Sequence, residues 1–278
     1  MRRRISQSFA LCVLLAALLS APIASGAVIT VAHYRLGEDD AGASAGAPGN
    51  ASTVDSTSGL DLTRTGSPTY SANTPGPGSA LAMDFGGAGK YYQRTGAVIP
   101  GTDNWGVEAW VYPFSDRPGD GNAGGGPSDN FASVAYNGQE GAGDGSGFGI
   151  VTMEGEWQLL FGQIAFHDVD ADVVANQWVH LAAVRDNGAG ALYVNGTQVG
   201  PTTGTTPNPP DNFTHVGGEN ITGTIRSFDG LIDETRFFTF NAGEFDPTTD
   251  LFLNVVPEPS SLTLLICAAL GFLVRRRR

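Results

Sequence analysis

The sequence predicts an all-β domain, a two-sheet antiparallel jelly-roll sandwich, flanked by an N-terminal signal helix and a short C-terminal membrane helix. Three observations predict it. Glycine and proline supply 39 and 16 of the 278 residues and fall between short apolar runs, the spacing of many strands joined by turns. In Trp105-Gly106-Val107-Glu108-Ala109-Trp110-Val111-Tyr112, the residues Trp105, Val107, Ala109 and Val111 form one apolar face. Glu108, Trp110 and Tyr112 form a mixed face that is expected to be partly wet. Finally, Asp186-Asn187-Gly188-Ala189-Gly190 and Asn195-Gly196 are hairpin signals, the second favouring a type I′ turn.

Taken from the N-terminus, Met1-Arg2-Arg3-Arg4 precedes an apolar run from Phe9 to Leu19 and then Ala24-Ser25-Gly26-Ala27. This is the pattern of a secretory signal peptide over residues 1–27, cleaved near Gly26 or Ala27. The run falls short of the about 20 apolar residues that span a bilayer. Strands are expected over 28–36, 60–65, 80–85, 91–95, 106–114, 131–136, 148–153, 157–161, 178–185, 191–194, 214–216, 230–238 and 251–255. No helix longer than two turns is expected between the ends, and no fixed-period repeat stands out. So many strands require two packed sheets. Residues 39–55, 116–130 and 200–210 read as loops, rich in Gly, Ser, Thr, Ala or Pro. Loops of that length are usually functional or mobile. A linker is expected over 246–255.

The C-terminus is equally patterned. Val256-Pro257-Glu258-Pro259-Ser260-Ser261 leads into an apolar segment over 262–274 and then four arginines, Arg275 to Arg278. Basic residues behind an apolar segment place the end in the cytoplasm, and the segment is short for a permanent span. Cys12 and Cys267 both lie in the terminal segments, so a processed domain has no disulfide and depends on its core. Removing the ends leaves 8 basic against 27 acidic residues, a formal charge of −19. That charge argues against nucleic acid or anionic lipid as partner.

Catalytic signatures are weak. Glu154 and Glu156 share an alternation but flank Gly155, which suggests a turn rather than the paired carboxyls of a glycosidase. Gly145-Ser146-Gly147 lacks nucleophile-elbow spacing. Gly86-Gly87-Ala88-Gly89-Lys90 is followed by Tyr91 and is no phosphate loop. The four histidines (His33, His167, His180 and His215) lack zinc-ligand spacing. Asp168, Asp170 and Asp172 alternate and offer three carboxylates to one face, a candidate for calcium, which takes oxygen ligands. For a carbohydrate, Trp110, Tyr112 and Trp157 are the candidate aromatic platform. Asp233 and Arg236 are expected to pair across a strand end.

Two resemblances follow from these residues. The Pro257-Glu258-Pro259 motif, apolar segment and basic end over 256–278 together resemble the PEP-CTERM sorting signal. That resemblance implies an exosortase-type processing enzyme as partner, export to the cell envelope or extracellular surface, and inner-membrane anchoring before processing. Trp178-Val179-His180-Leu181-Ala182-Ala183-Val184-Arg185, Leu192-Tyr193-Val194-Asn195-Gly196, the run from Phe228 to Phe238, and Val107-Glu108-Ala109-Trp110-Val111 upstream resemble the LamG-like domains of the concanavalin A-like lectin/glucanase group. This second resemblance covers about residues 28–245 and implies a jelly roll of about a dozen strands. By analogy with its pentraxin branch, calcium would be held by Glu219 and Asn220, joined by Asp144 from a second loop. The Glu-x-Asp-x-x-Glu string of the fold's hydrolases is missing. The expectation is therefore a non-catalytic surface protein binding extracellular polysaccharide or a matrix protein. A structural or adhesive coat protein, or a polysaccharide-acting enzyme, are the alternatives.

Overall fold

Two tight turns show how local sequence sets the sheets. Asn187-Gly188 and Asn195-Gly196 all take positive φ (47°, 84°, 50° and 76°), the type I′ geometry whose twist matches a β-hairpin. In the computed structural model the described residues are 28–253, apart from 87–88, 120–130, 140–144, 163, 219 and 222–223. The two predicted terminal helices lie outside them. The strands in chain order are β1 (Ile29–Tyr34), β2 (Ser52–Thr53), β3 (Leu62–Thr65), β4 (Thr69–Ser71), β5 (Ala82–Asp84) and β6 (Tyr91–Thr95). They continue as β7 (Trp105–Pro113), β8 (Ala132–Asn137), β9 (Phe148–Met153), β10 (Glu156–Phe161), β11 (Ala165–His167) and β12 (Val179–Asp186). The rest are β13 (Ala189–Val194), β14 (Thr197–Thr203), β15 (Phe213–Val216), β16 (Asn220–Ile221), β17 (Thr224–Ile225) and β18 (Gly230–Thr239), followed by a short helix, α1 (Pro247–Asp250).

The first sheet runs β14-β13-β12-β7-β18-β5-β4, and β1 also pairs with β18. The second runs β11-β10-β9-β8-β15-β6-β3-β2, while β16 and β17 form a separate hairpin. The architecture is an all-β, two-sheet antiparallel sandwich. The apolar face predicted for β7 points into it. Trp105, Val107, Ala109 and Val111 are fully buried against Phe148, Ile150, Trp157, Leu159 and Phe161 of the second sheet.

The outer face of the first sheet is less wet than alternation alone suggests. Ala182, Val184, Phe238, Phe240 and Leu251 form a second apolar cluster there, with Val28, Tyr193, Phe245 and Leu253 packed against it. Residues 246–253, expected as a linker, help to cover this face. Asp246 caps α1 by accepting from Thr248 N at 2.9 Å. The segment 251–253 then lies against the sheet without joining it as a strand.

β18 carries the main irregularity. Its residues Leu231 and Ile232 pair with β5, whereas Thr235 to Thr239 pair with β1 along the same edge. Between them the register slips, with Glu234 at φ 47°. The bulge therefore falls after Ile232, between Asp233 and Arg236. It parts Asp233 from Arg236, so the expected Asp233–Arg236 pair does not form: Arg236 turns to Glu108 instead.

One buried base should make the sandwich acid-sensitive. His215 is 1% exposed, stacks on Tyr136 at 5.4 Å and lies 3.1 Å from Ser133 Oγ. Burial, and then Arg226, push its imidazole down to about 3. The unfolded chain binds this proton near pH 6.5, where the folded one does not. Stability should hold above pH 6.5 and fall as pH drops from there towards 3, at up to about 1.4 kcal/mol per pH unit from this residue. Urea titrations of the wild type and His215→Gln at pH 7 and pH 5 check this. Equal losses in both would remove His215 as the source.

Candidate functional site

The outer face of β7 presents Glu108, Trp110 and Tyr112 in alternation, Phe114 follows just past its end, and the β7–β12 register sets His180 opposite Trp110 and Val179 opposite Val111. Trp178, the next residue outward on that side, then comes beside Tyr112, with ring centroids 5.6 Å apart. Phe114 meets Tyr112 edge-on at 6.2 Å and is 38% exposed. Trp178 is half-buried and donates its Nε1–H to Asn73 Oδ1 at 3.1 Å, which fixes the ring. The result is an aromatic strip, Phe114–Tyr112–Trp178. It ends at a groove of about 160 Å³ lined by Asp172, Val174, Gln177, Trp178 and Asn195.

Of the three aromatics expected as one platform, only Tyr112 lies on this strip. Trp110 packs edge-on against His180 at 5.3 Å and donates to the Phe252 carbonyl at 2.9 Å, so it holds the C-terminal segment. Trp157 belongs to the opposite sheet, is 2% exposed and packs near Phe228, lining the groove from the core side. Alternation could have added Phe114. The placement of Trp178 depends on a strand register that the sequence does not display.

Behind the strip is a buried charge network. Glu108 is 0% exposed and accepts from Arg236, from Phe252 N at 3.0 Å, and meets His180 Nε2 at 2.9 Å. Arg236 also donates to the Asp250 carbonyl and stacks on the Phe252 ring, its guanidinium carbon 3.6 Å from the centroid. Burial alone would raise the Glu108 carboxyl. Arg236 and His180 override it and hold the group below its ordinary value. Both charges are consumed by structure, which leaves the network a clamp between sheet and C-terminal segment.

At the β18 bulge, Glu38, Asp233 and Glu234 bring carboxylate oxygens within 4.8 Å of one another. Asp233 Oδ2 lies 2.6 Å from Ser79 Oγ, and its Oδ1 accepts from Glu234 N at 2.8 Å. Glu234 meets His33 Nε2 at 2.7 Å and Arg35 Nε at 3.3 Å. Burial, then the charges of Glu234 and Glu38, push Asp233 well above the usual carboxylate range. Sequence reading missed this cluster because its members come from distant segments joined only by β1–β18 pairing.

Of the calcium ligands expected by analogy, Glu219 and Asp144 lie outside the described residues. Asn220 opens β16. Glu154 and Glu156 are separated by a turn at Gly155, with φ 55° at Glu154 and 93° at Gly155. Glu156 instead approaches Asp168 and Asp170, its oxygens within 4.8 Å of theirs. Pro257, Glu258 and Pro259 lie outside the described residues.

Comparison with known proteins adds to this geometry. The profile of the PEP-CTERM protein-sorting motif matches residues 255–278. That motif implies export, sorting to the cell surface and processing by an exosortase. No curated protein matches the chain. Among solved structures, domain 4 of AbnA, an extracellular GH43 arabinanase from Geobacillus stearothermophilus in complex with arabinotriose, is similar over 81% of this chain and 98% of that one. The identity is 20% and the TM-score 0.57. Trypanosoma rangeli sialidase in complex with sialic acid is similar at 14% identity and TM-score 0.53, over 78% of this chain but 32% of the sialidase. Both likenesses concern the fold. The profile of the concanavalin A-like lectin/glucanases superfamily matches residues 85–241, more than half of the sequence, and the chain belongs to that superfamily.

Proposed function

We propose that the domain is a non-catalytic carbohydrate-binding module, displayed at the cell surface by its sorting motif and directed at extracellular polysaccharide. The observation that carries this reading is the strip Phe114–Tyr112–Trp178. A sugar ring stacks its apolar C–H face on an aromatic ring, and its hydroxyls need polar partners alongside. Gln177, Asn195 and Asp172 line the adjoining groove and are of that kind. Trp178 is held in place by Asn73 before any ligand arrives, which lowers the ordering cost of binding. The groove is smaller than the roughly 300–1,000 Å³ of an engulfing small-molecule pocket. It suits a chain lying along the surface. The arabinanase domain of similar fold, described with arabinotriose, supports an oligosaccharide as ligand class for such a sandwich.

A glycan array followed by titration of the best polysaccharide tests this. Trp178→Ala should weaken binding at least tenfold, about 1.4 kcal/mol, and Tyr112→Ala by less. Trp110→Phe, which keeps the ring against His180, should bind as the wild type does. Absence of binding to any glycan, or full binding by Trp178→Ala, would overturn the reading. Release of reducing ends from the polysaccharide, lost in Glu154→Gln or Glu156→Gln, would replace it with an enzyme.

A further inference from the structure

We propose that Glu156, Asp168 and Asp170, with the side-chain carbonyl of Gln158, form a calcium site on the outer face of the second sheet. This site is separate from the aromatic strip and uses none of Glu219, Asn220 and Asp144.

Backbone pairing builds it. β10 pairs antiparallel with β11, with Leu159 opposite His167, so Asp168 follows on beside Gln158. The next backbone bridge sets Glu156 opposite Asp172, two residues out of that register. The extra residues are accommodated by Asp170 at φ 53°. Trp157 N donates to Ala171 O at 2.8 Å and Val173 N to Gly155 O at 2.7 Å, which ties the loop to β10 on both sides of Glu156. The bulge thus delivers Asp168 and Asp170 to the Glu156 carboxylate.

The spacing suits a calcium ion. One oxygen from each of the three carboxylates lies within 4.8 Å of the others. Two oxygens on opposite sides of a calcium ion, each at about 2.4 Å, stand about 4.8 Å apart. Alone, the three anions repel.

Gln158 is the independent observation. Its side chain lines the same depression, of about 250 Å³, as Glu154, Glu156, Phe166 and Asp168. It is 5% exposed, and its Oε1 is buried with no hydrogen-bond partner among the described residues. A buried carbonyl without a donor is an uncompensated loss of hydration, and a cation supplies what is missing. Three carboxylates and one amide carbonyl, completed by water, are an oxygen-only set of the kind calcium takes. Zinc prefers nitrogen and sulfur ligands. A surface site with exposed aspartates should bind in the range of extracellular modules, about 10⁻⁴–10⁻³ M.

The test uses the full-length chain in detergent, stripped with EDTA, with calcium chloride as probe. Calorimetric titration should show an added site of that affinity in the wild type that is missing in Glu156→Gln and Asp170→Asn. Gln158→Leu should weaken the site several-fold. At 100 times the Kd, the unfolding midpoint should rise by about 5–10 °C in the wild type and not in Glu156→Gln. Terbium in place of calcium should show luminescence excited through the neighbouring Trp157, and Glu156→Gln should abolish it. No binding at 10 mM calcium overturns the proposal. So does binding that Glu156→Gln and Asp170→Asn leave unchanged, since the ion would then sit elsewhere. None of these readouts depends on carbohydrate binding, so this site and the aromatic strip stand or fall separately.

Discussion

Glu108→Ala is expected to cost about 3–5 kcal/mol of folding free energy, because it leaves the Arg236 guanidinium buried without its counter-charge. For a domain of this size that corresponds to a fall in unfolding midpoint of roughly 6–20 °C. Arg236 is 3% exposed, and its remaining partners are the Asp250 carbonyl and the faces of Phe238 and Phe252. A carbonyl and two π-faces do not replace a carboxylate in a site closed to water. The loss reaches the C-terminal segment as well. Phe252 N donates to Glu108 Oε2 at 3.0 Å, and the Phe252 carbonyl is held by Trp110. In the mutant residues 251–253 should loosen, seen as faster proteolysis just before the sorting motif at 255–278. The double variant Glu108→Leu, Arg236→Met separates a lost interaction from a stranded charge. Replacing a whole buried pair by apolar side chains is often neutral. The double variant should therefore recover most of the midpoint. If Glu108→Ala unfolds within about 2 °C of the wild type, the pair is hydrated and does not clamp the C-terminal segment.

How much of this was legible beforehand varies with the origin of the signal. β6 and β9 coincide with their sequence-predicted limits, and β7 is one residue out at each end. In these strands apolar residues and flanking turns agree. Edge strands are different: β2, β4 and β11 are two or three residues long, too short for alternation to register. β14 was hidden because Thr, Pro and Gly fill residues 200–203, which read as loop. Pairing with β13 from the Asn195-Gly196 turn makes it a strand, and its edge position tolerates Pro201. The fold class follows from local pattern, but the site follows from register. Trp178 lies beside Tyr112 because of the β7–β12 pairing. Glu108 meets Arg236 because β18 lies next to β7, at 128 residues' separation. No local pattern reports such distances, so the expectation stopped at Trp110, Tyr112 and Trp157.

Trp105→Ala should be as costly as Glu108→Ala, about 3–5 kcal/mol, but for a different reason. Trp105 belongs to β7 in the first sheet and stacks on Phe148 of β9 in the second, with centroids 3.5 Å apart and planes 4° from parallel. Phe161 closes on it edge-first at 6.3 Å. It therefore bridges both sheets at full burial, and deleting it opens a cavity that rigid strands on both sides cannot close. The neighbouring chain cannot move in to compensate. A Cβ at Gly106 would meet the Phe238 ring at 2.0 Å, so the other face of β7 is already at contact. Trp105 also carries a liability: its buried Nε1–H has no acceptor among the described residues. Trp105→Phe keeps most of the stacking and removes that unpaired donor, so it should cost less than about 1.5 kcal/mol. Urea unfolding of the two variants distinguishes the contributions. A large gap between Ala and Phe, with unchanged m-values, assigns the effect to aromatic packing between the sheets. Equal losses would mean that the indole itself, including its N–H, matters in a way that burial and stacking do not explain.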